Sequence, residues 1–239
     1  VPTLGTRRTF ASTSGGFRRS LNSGAVAFEK FALQLKHLTT YQMVGNLQFM
    51  HASDTRERIL ANAQTLAQRR GFNAFSYADI AEAVGVRKAS IHHHFPSKDD
   101  LELALVQRYR QQFAGQLERI DREESTAVGR LRGYADLYRA TLDGGAICLC
   151  GMMASDIQAL PDNLRAPLRA FFGEQAAWLA GVLDSGRKNG ELAFRGLAPR
   201  RAQLVLAALQ GGLIIAHASD DVPLFDALLD DLLTGIVQQ

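Results

Sequence analysis

At 239 residues the chain has room for a small domain and a larger one, and a 46% hydrophobic composition supplies ample core material. Two cysteines exclude a disulfide framework and suit a reducing cytoplasm; no uninterrupted apolar run reaches the roughly eighteen residues of a membrane span, so a soluble cytoplasmic protein is expected. The net charge of +3 is unevenly divided: residues 1–50 carry six Lys/Arg and one Asp/Glu, residues 51–110 nine and seven, and residues 111–239 twelve and sixteen. A basic head on an acidic body suits orientation in a phosphate field.

Residues 1–50 are rich in Ser, Gly and Arg up to Asn22 and read as a poorly ordered leader. Three origins fit: an over-extended gene start with translation beginning at Met43 or Met50, an Arg-rich transit peptide, or a basic arm adding nonspecific DNA affinity. Within it, Phe28, Phe31, Ala32, Leu35 and Leu38 predict a short amphipathic helix over 25–38.

From about Asp54 onward the pattern is helical. Ile59, Leu60, Ala63, Leu66 and Ala67 form the inner stripe of a first helix that ends with Arg69, Arg70 and Gly71. Ser76 with Asp79 forms a capping box opening a second helix to about Val84, in which Ile80 and Val84 face inward. Gly85 supplies the left-handed turn. A third helix runs from about Arg87 to His94 with Ile91 as buried anchor, Phe95 and Pro96 close it, and Ser97 with Asp100 caps a fourth helix predicted over 98–120. Leu101, Leu105, Tyr109, Phe113 and Leu117 recur along that helix at spacings of four. Further helices are expected near 125–143, 146–159, 162–188, 198–218 and 222–238, with no alternating strand pattern, so the fold class is all-α.

The segment FSYADIAEAVGVRKASIHHHFPSK, Phe75 to Lys98, has the layout of a helix-turn-helix. Opposite Ile91, the side chains of Arg87, Lys88, Ser90, His92 and His93 project outward, and base edges and phosphates both offer acceptors to such donors. The alternative is an ordinary helical hairpin inside a core. With the preceding TRERILANAQTLAQRRGF, this run resembles the N-terminal domain of TetR-family transcriptional regulators, where a pattern x-L-Y-x-H/Y-F-x-x-K holds the DNA contacts; here Ile91, His92, His94, Phe95 and Lys98 stand at those places, His92 replacing the usual tyrosine. The resemblance implies that Ser76 and Tyr77 touch phosphate or bases, that Lys88, Ala89, His92 and His93 meet the major groove, and that His94 and Lys98 hold the backbone. Domains follow as 51–97 for the DNA-binding head and 98–239 for an effector-binding and dimerisation body.

In the body, Leu204, Ala208, Gly211, Gly212, Ile215, Leu228 and Leu232 are expected at a two-fold dimer interface, small residues letting backbones approach; core packing is the alternative. The large apolar residues Tyr134, Tyr138, Met152, Phe171 and Trp178 mark the region where the resemblance implies an effector pocket, and plain core packing competes for each. Cys148 and Cys150 lie two apart, so on a helix they point to nearly opposite sides and act singly; Cys148, near a helix start, is the candidate thiol sensor, the alternative being a small buried hydrophobe.

Enzyme signals are weak. Consecutive His92, His93 and His94 diverge by about 100° per residue on a helix and cannot share one metal ion. The S-x-x-K match at Ser185 to Lys188 lacks companion motifs, and no phosphate loop, H-E-x-x-H or nucleophile elbow occurs. The expectation is no catalytic residue, no metal and no cofactor, but a homodimeric repressor that binds a pseudo-palindromic DNA operator and is released by a small-molecule or thiol-reactive effector. A constitutive DNA-binding protein without an effector is the alternative.

Overall fold

The computed structural model describes residues 40–158 and 160–236, with side chains from Asp54 onward. Nine α-helices are described: α1 (Thr40–Arg70), α2 (Tyr77–Val84), α3 (Lys88–His94), α4 (Lys98–Glu123), α5 (Ala127–Asp143), α6 (Leu149–Ser155), α7 (Asp162–Lys188), α8 (Ala198–Ser219) and α9 (Val222–Thr234). No strand occurs among the described residues, so the all-α expectation holds. Helix α1 begins at Thr40, ten residues before the leader was expected to end; no proline interrupts residues 40–53, and extending a formed helix costs far less than nucleating one. The amphipathic helix expected over 25–38 lies outside the described residues.

The residues from Asp54 onward form one compact unit. Both predicted capping boxes are present: Ser76 Oγ accepts from the Ala78 amide while Asp79 accepts from the Ser76 amide, and Ser97 and Asp100 repeat the arrangement at the start of α4. Gly85 adopts the left-handed conformation at φ 75°, and its amide donates to the carbonyls of Ala81 and Glu82, closing α2. Helix α4 runs from the turn after α3 into the body, where it packs on α5, α6 and α7; α8 packs on α5, α7 and α9. By length and composition α8 is apolar enough to cross a bilayer, although Gln203, Gln210 and two arginines break it as a continuous apolar run. Its inner face, including Val205, Leu209, Leu213 and Ala216, is buried in the protein core.

The centre of the body is aromatic. Tyr109, Phe113, Tyr134, Tyr138 and Phe171 pack edge-on and tilted at centroid distances of 5.4–6.3 Å, and Trp178 stacks on Tyr134 at 5.6 Å. Tyrosine can fill a core only if its hydroxyl is satisfied. Here Gln175 Oε1 accepts from Tyr134 at 2.6 Å and from Tyr138 at 3.1 Å, so both buried hydroxyls are satisfied. Burial pushes both phenols well above the ordinary range, which keeps them protonated as donors.

Candidate nucleic-acid interface

Helix α3 is seven residues long and buries only Ile91 completely, between α2 and the following turn. Because 3.6 residues make a turn, one fully buried anchor leaves most of the other side chains outside. Arg87, Lys88, Ala89, His92 and His93 are exposed; Ser90, His94 and Lys98 are half-buried. This outer face offers a guanidinium, an ammonium, a hydroxyl and imidazoles around one methyl group, a donor set suited to guanine O6 and N7, to phosphate and to a thymine methyl. Desolvation, then His93 and Arg56, lower the His94 imidazole from its ordinary value.

Tyr77 departs from its expected role. Its ring is buried, lies 4.7 Å from the His92 ring, and its hydroxyl donates to the Phe95 and Ser97 carbonyls at 3.0 and 2.5 Å. A side chain committed to the bend between α3 and α4 positions the reading helix and is not free to contact a base. Lys98 is likewise drawn inward: its ammonium sits 4.7 Å from the Phe72 ring centroid and donates to the Phe75 carbonyl at 3.4 Å. Ser76 is exposed beside α3 but carries its helix cap.

Two arginines of α1 were missed by the sequence reading. Arg58 donates to the Val84 carbonyl at 2.6 Å and secures the end of α2. Arg56 lies 5.1 Å from the Phe95 ring centroid, an exposed cation beside the end of α3. Both lie on a helix whose outer face reads as ordinary charged surface, so nothing local marks them.

These features agree with what is known of similar chains. The family described as bacterial regulatory proteins, tetR family, matches residues 59–105. A TetR-family transcriptional regulator from Agrobacterium tumefaciens superposes with a TM-score of 0.75 at 35% identity, covering 78% of this chain and all of the other. The chain belongs to the TetR family of transcriptional regulators. Among TetR-family relatives, the transcriptional repressor NemR of Escherichia coli K12 is 28% identical over 183 residues, spanning 73% of this chain and 90% of NemR. The crystal structure of reduced E. coli NemR matches with a TM-score of 0.67 at 25% identity, covering 77% of this chain and 98% of NemR. As a member of the TetR family the protein is a DNA-binding transcriptional regulator.

The body distributes the remaining expected residues unevenly. Tyr134, Tyr138 and Phe171 are packed in the aromatic centre, and half-buried Trp178 donates to Asp121 at 2.9 Å. Met152 lines a cleft, on the side of Arg70 and Lys98. Cys148 caps the N-terminus of α6 but is 3% exposed, its sulfur 3.3 Å from Gln210 Nε2 and 3.7 Å from the Tyr109 hydroxyl. Next to it, Gln68 and Ile147 bond each other twice: the Ile147 amide donates to the Gln68 carbonyl at 3.1 Å, and Gln68 Nε2 returns a bond to the Ile147 carbonyl at 3.0 Å. Burial drives the Cys150 thiol far up, which removes it from thiolate chemistry.

On α8 and α9, Leu204, Ile215 and Leu228 are 52%, 53% and 41% exposed, and Ala208 and Gly211 lie on the same side. Ala208, Gly211, Ile215 and Leu228 border, with half-buried Leu232, an apolar groove of about 470 Å³. Gly212 lines the same groove and is buried, with Phe225 and Leu228 3.4–3.5 Å from where its Cβ would stand, so it also serves the packing of α8 on α9 within one chain.

Proposed function

We propose that this regulator is a homodimeric repressor whose α3 enters the major groove at each half of a pseudo-palindromic operator. The observation that carries the reading is the exposed donor face of α3, held by Ile91 within and by the Tyr77 hydroxyl at its end. Lys88, Ala89, His92 and His93 are assigned to base edges, and Arg87, Ser90 and His94 to the adjacent backbone, with Arg56 beside them. The head takes in residues 51–97 and the body 98–239. Two copies pair through the exposed stripe Leu204, Ala208, Gly211, Ile215 and Leu228, which brings the two α3 helices to successive major grooves about 34 Å apart.

Release requires a ligand or modification with different affinity for two conformations. Cys148 is the candidate trigger: an adduct on its sulfur displaces Gln210 and Tyr109, one residue from the paired bonds between Ile147 and Gln68 on the helix that carries the head. Its burial means that the thiol reacts only when α6 loosens. The similarity to NemR, crystallised in a reduced form, supports a redox reading.

The test is binding of purified protein to duplex DNA from upstream of its own gene, before and after N-ethylmaleimide treatment. Salt-sensitive binding, weakened in Lys88→Ala and lost on treatment of wild type but not of Cys148→Ser, supports the whole reading. Binding unaffected by Lys88→Ala and His93→Ala overturns the docking, and release that persists in Cys148→Ser overturns the trigger. An Ile215→Arg chain that remains dimeric in light scattering overturns the pairing surface.

A further inference from the structure

A cleft of about 860 Å³ lies where the end of α1 and the turn Phe72–Ala74 meet the first turns of α4 and the end of α6. Ligand sites commonly occupy about 300–1,000 Å³, combining apolar walls with a few convergent polar groups. Phe72, Met152 and Leu160 supply the apolar part, and Asp99, Glu102 and Asp156 three carboxyl groups.

Glu102 is the anomaly. It is 7% exposed, lies on the second turn of α4, and its Oε2 is buried without a hydrogen-bond partner. A carboxylate held this way is costly unless a cation or donor reaches it. Two cations, Arg70 and Lys98, line the same cleft, and neither is bonded to Glu102. The Lys98 ammonium is over the rings of Phe72 and Phe75 and on the Phe75 carbonyl, and Arg70 is at the exposed rim, near enough to Asp79 to lower that carboxyl. Desolvation first, then Asp99, raises Glu102 to about 7 against the opposing pull of Lys98, the signature of a group lacking its counter-charge.

We infer that this cleft is a binding site for a hydrophobic primary amine, whose ammonium donates to the buried Glu102 carboxylate while its hydrocarbon lies along Phe72, Met152 and Leu160. A primary ammonium brings three donors to an acceptor that has none, and Asp99 and Asp156 add attraction of the same sign. The cleft adjoins the turn that follows α1 and the helix that leaves the reading head, so occupancy braces head against body. The inference rests on the regulator reading only in calling such a ligand an effector.

The experiment is calorimetric titration of the full chain with hexylammonium chloride in low salt at about pH 8, where the carboxyl is ionised, with hexanol as the uncharged control. Saturable hexylammonium binding is expected, at least tenfold tighter than hexanol and at least tenfold weaker in Glu102→Gln. Asp156→Lys, at an exposed position on the cleft, puts a fixed cation there and weakens binding without touching the core, and it decides the matter should Glu102→Gln fail to fold. Absence of saturable binding, equal binding of hexanol, or full affinity retained in a folded Glu102→Gln overturns the assignment. No DNA enters the titration, so failure of operator binding counts against the proposed function alone and failure of hexylammonium binding against this site alone.

Discussion

Replacing Tyr77 by Phe separates a positioning role from a DNA-contacting one, because only the hydroxyl is removed. The ring keeps its place against His92, while the Phe95 and Ser97 carbonyls lose the donor they share at 3.0 and 2.5 Å. A net hydrogen bond is worth about 0.5–1.5 kcal/mol and a buried acceptor left unpaired costs about 1–3 kcal/mol. The hydroxyl has one proton to share, and the Ser97 side of the pair is only partly buried, so water recovers part of the loss and about 1–2 kcal/mol is expected. At about 2–4 °C per kcal/mol for a chain of this size, the melting temperature falls by roughly 2–8 °C. The donor is present at all working pH values, since burial and then Asp100 and Asp99 raise the phenol to about 12. Circular dichroism melts give the stability, and fluorescence anisotropy with labelled operator DNA, well below both transitions, gives the affinity of the folded variant. The reasoning expects a lower melting temperature with affinity nearly unchanged. An unchanged melt accompanied by a tenfold loss of affinity, about 1.4 kcal/mol, would refute it and return Tyr77 to the DNA surface.

Glu102→Gln should stabilise the protein above neutral pH. A carboxyl raised from 4.5 to about 7 on folding contributes stability that is fully present below 4.5 and is lost as pH rises through about 7. At about 1.4 kcal/mol per tenfold change in acidity the upper bound is about 3.5 kcal/mol, and solvent in the open cleft reduces it to about 1–2 kcal/mol; urea melts on both sides of neutrality check that the variant loses this pH dependence. Gly186→Ala should destabilise despite alanine's better helix propensity, worth about 1 kcal/mol. Its Cβ would stand 2.4 Å from the Ala127 Cβ, which has no rotamer to escape by, and overpacking of about 1–3 kcal/mol prevails in denaturant melts. Gly85→Ala meets no neighbour within 4 Å, so its cost is the backbone alone at φ 75°, about 1–2 kcal/mol. Gly85→Asn should recover part of that loss in the same melts, and equal losses in the two variants would count against a purely conformational cause.

The local machinery of the head is legible in the order of its residues. Capping boxes, a left-handed glycine and a single apolar anchor act over three to four residues, a range in which side-chain chemistry and backbone geometry are legible from spacing alone. Ser76 with Asp79, Ser97 with Asp100, Gly85 and Ile91 therefore stand as the spacing predicts. Which apolar and polar residues meet across elements depends on how the helices pack. Nothing near Tyr77 in sequence announces that carbonyls 18 and 20 residues away will take its hydroxyl, and Arg58 reaches Val84 across 26. Distance in sequence likewise hid Gln175, whose amide oxygen satisfies the buried hydroxyls of Tyr134 and Tyr138. It hid Glu102 as well: in sequence an acidic residue near the start of a helix, in the fold a buried carboxylate facing a cleft built from three other segments. Burial belongs to a meeting of surfaces, and one segment's pattern specifies only its own side of that meeting.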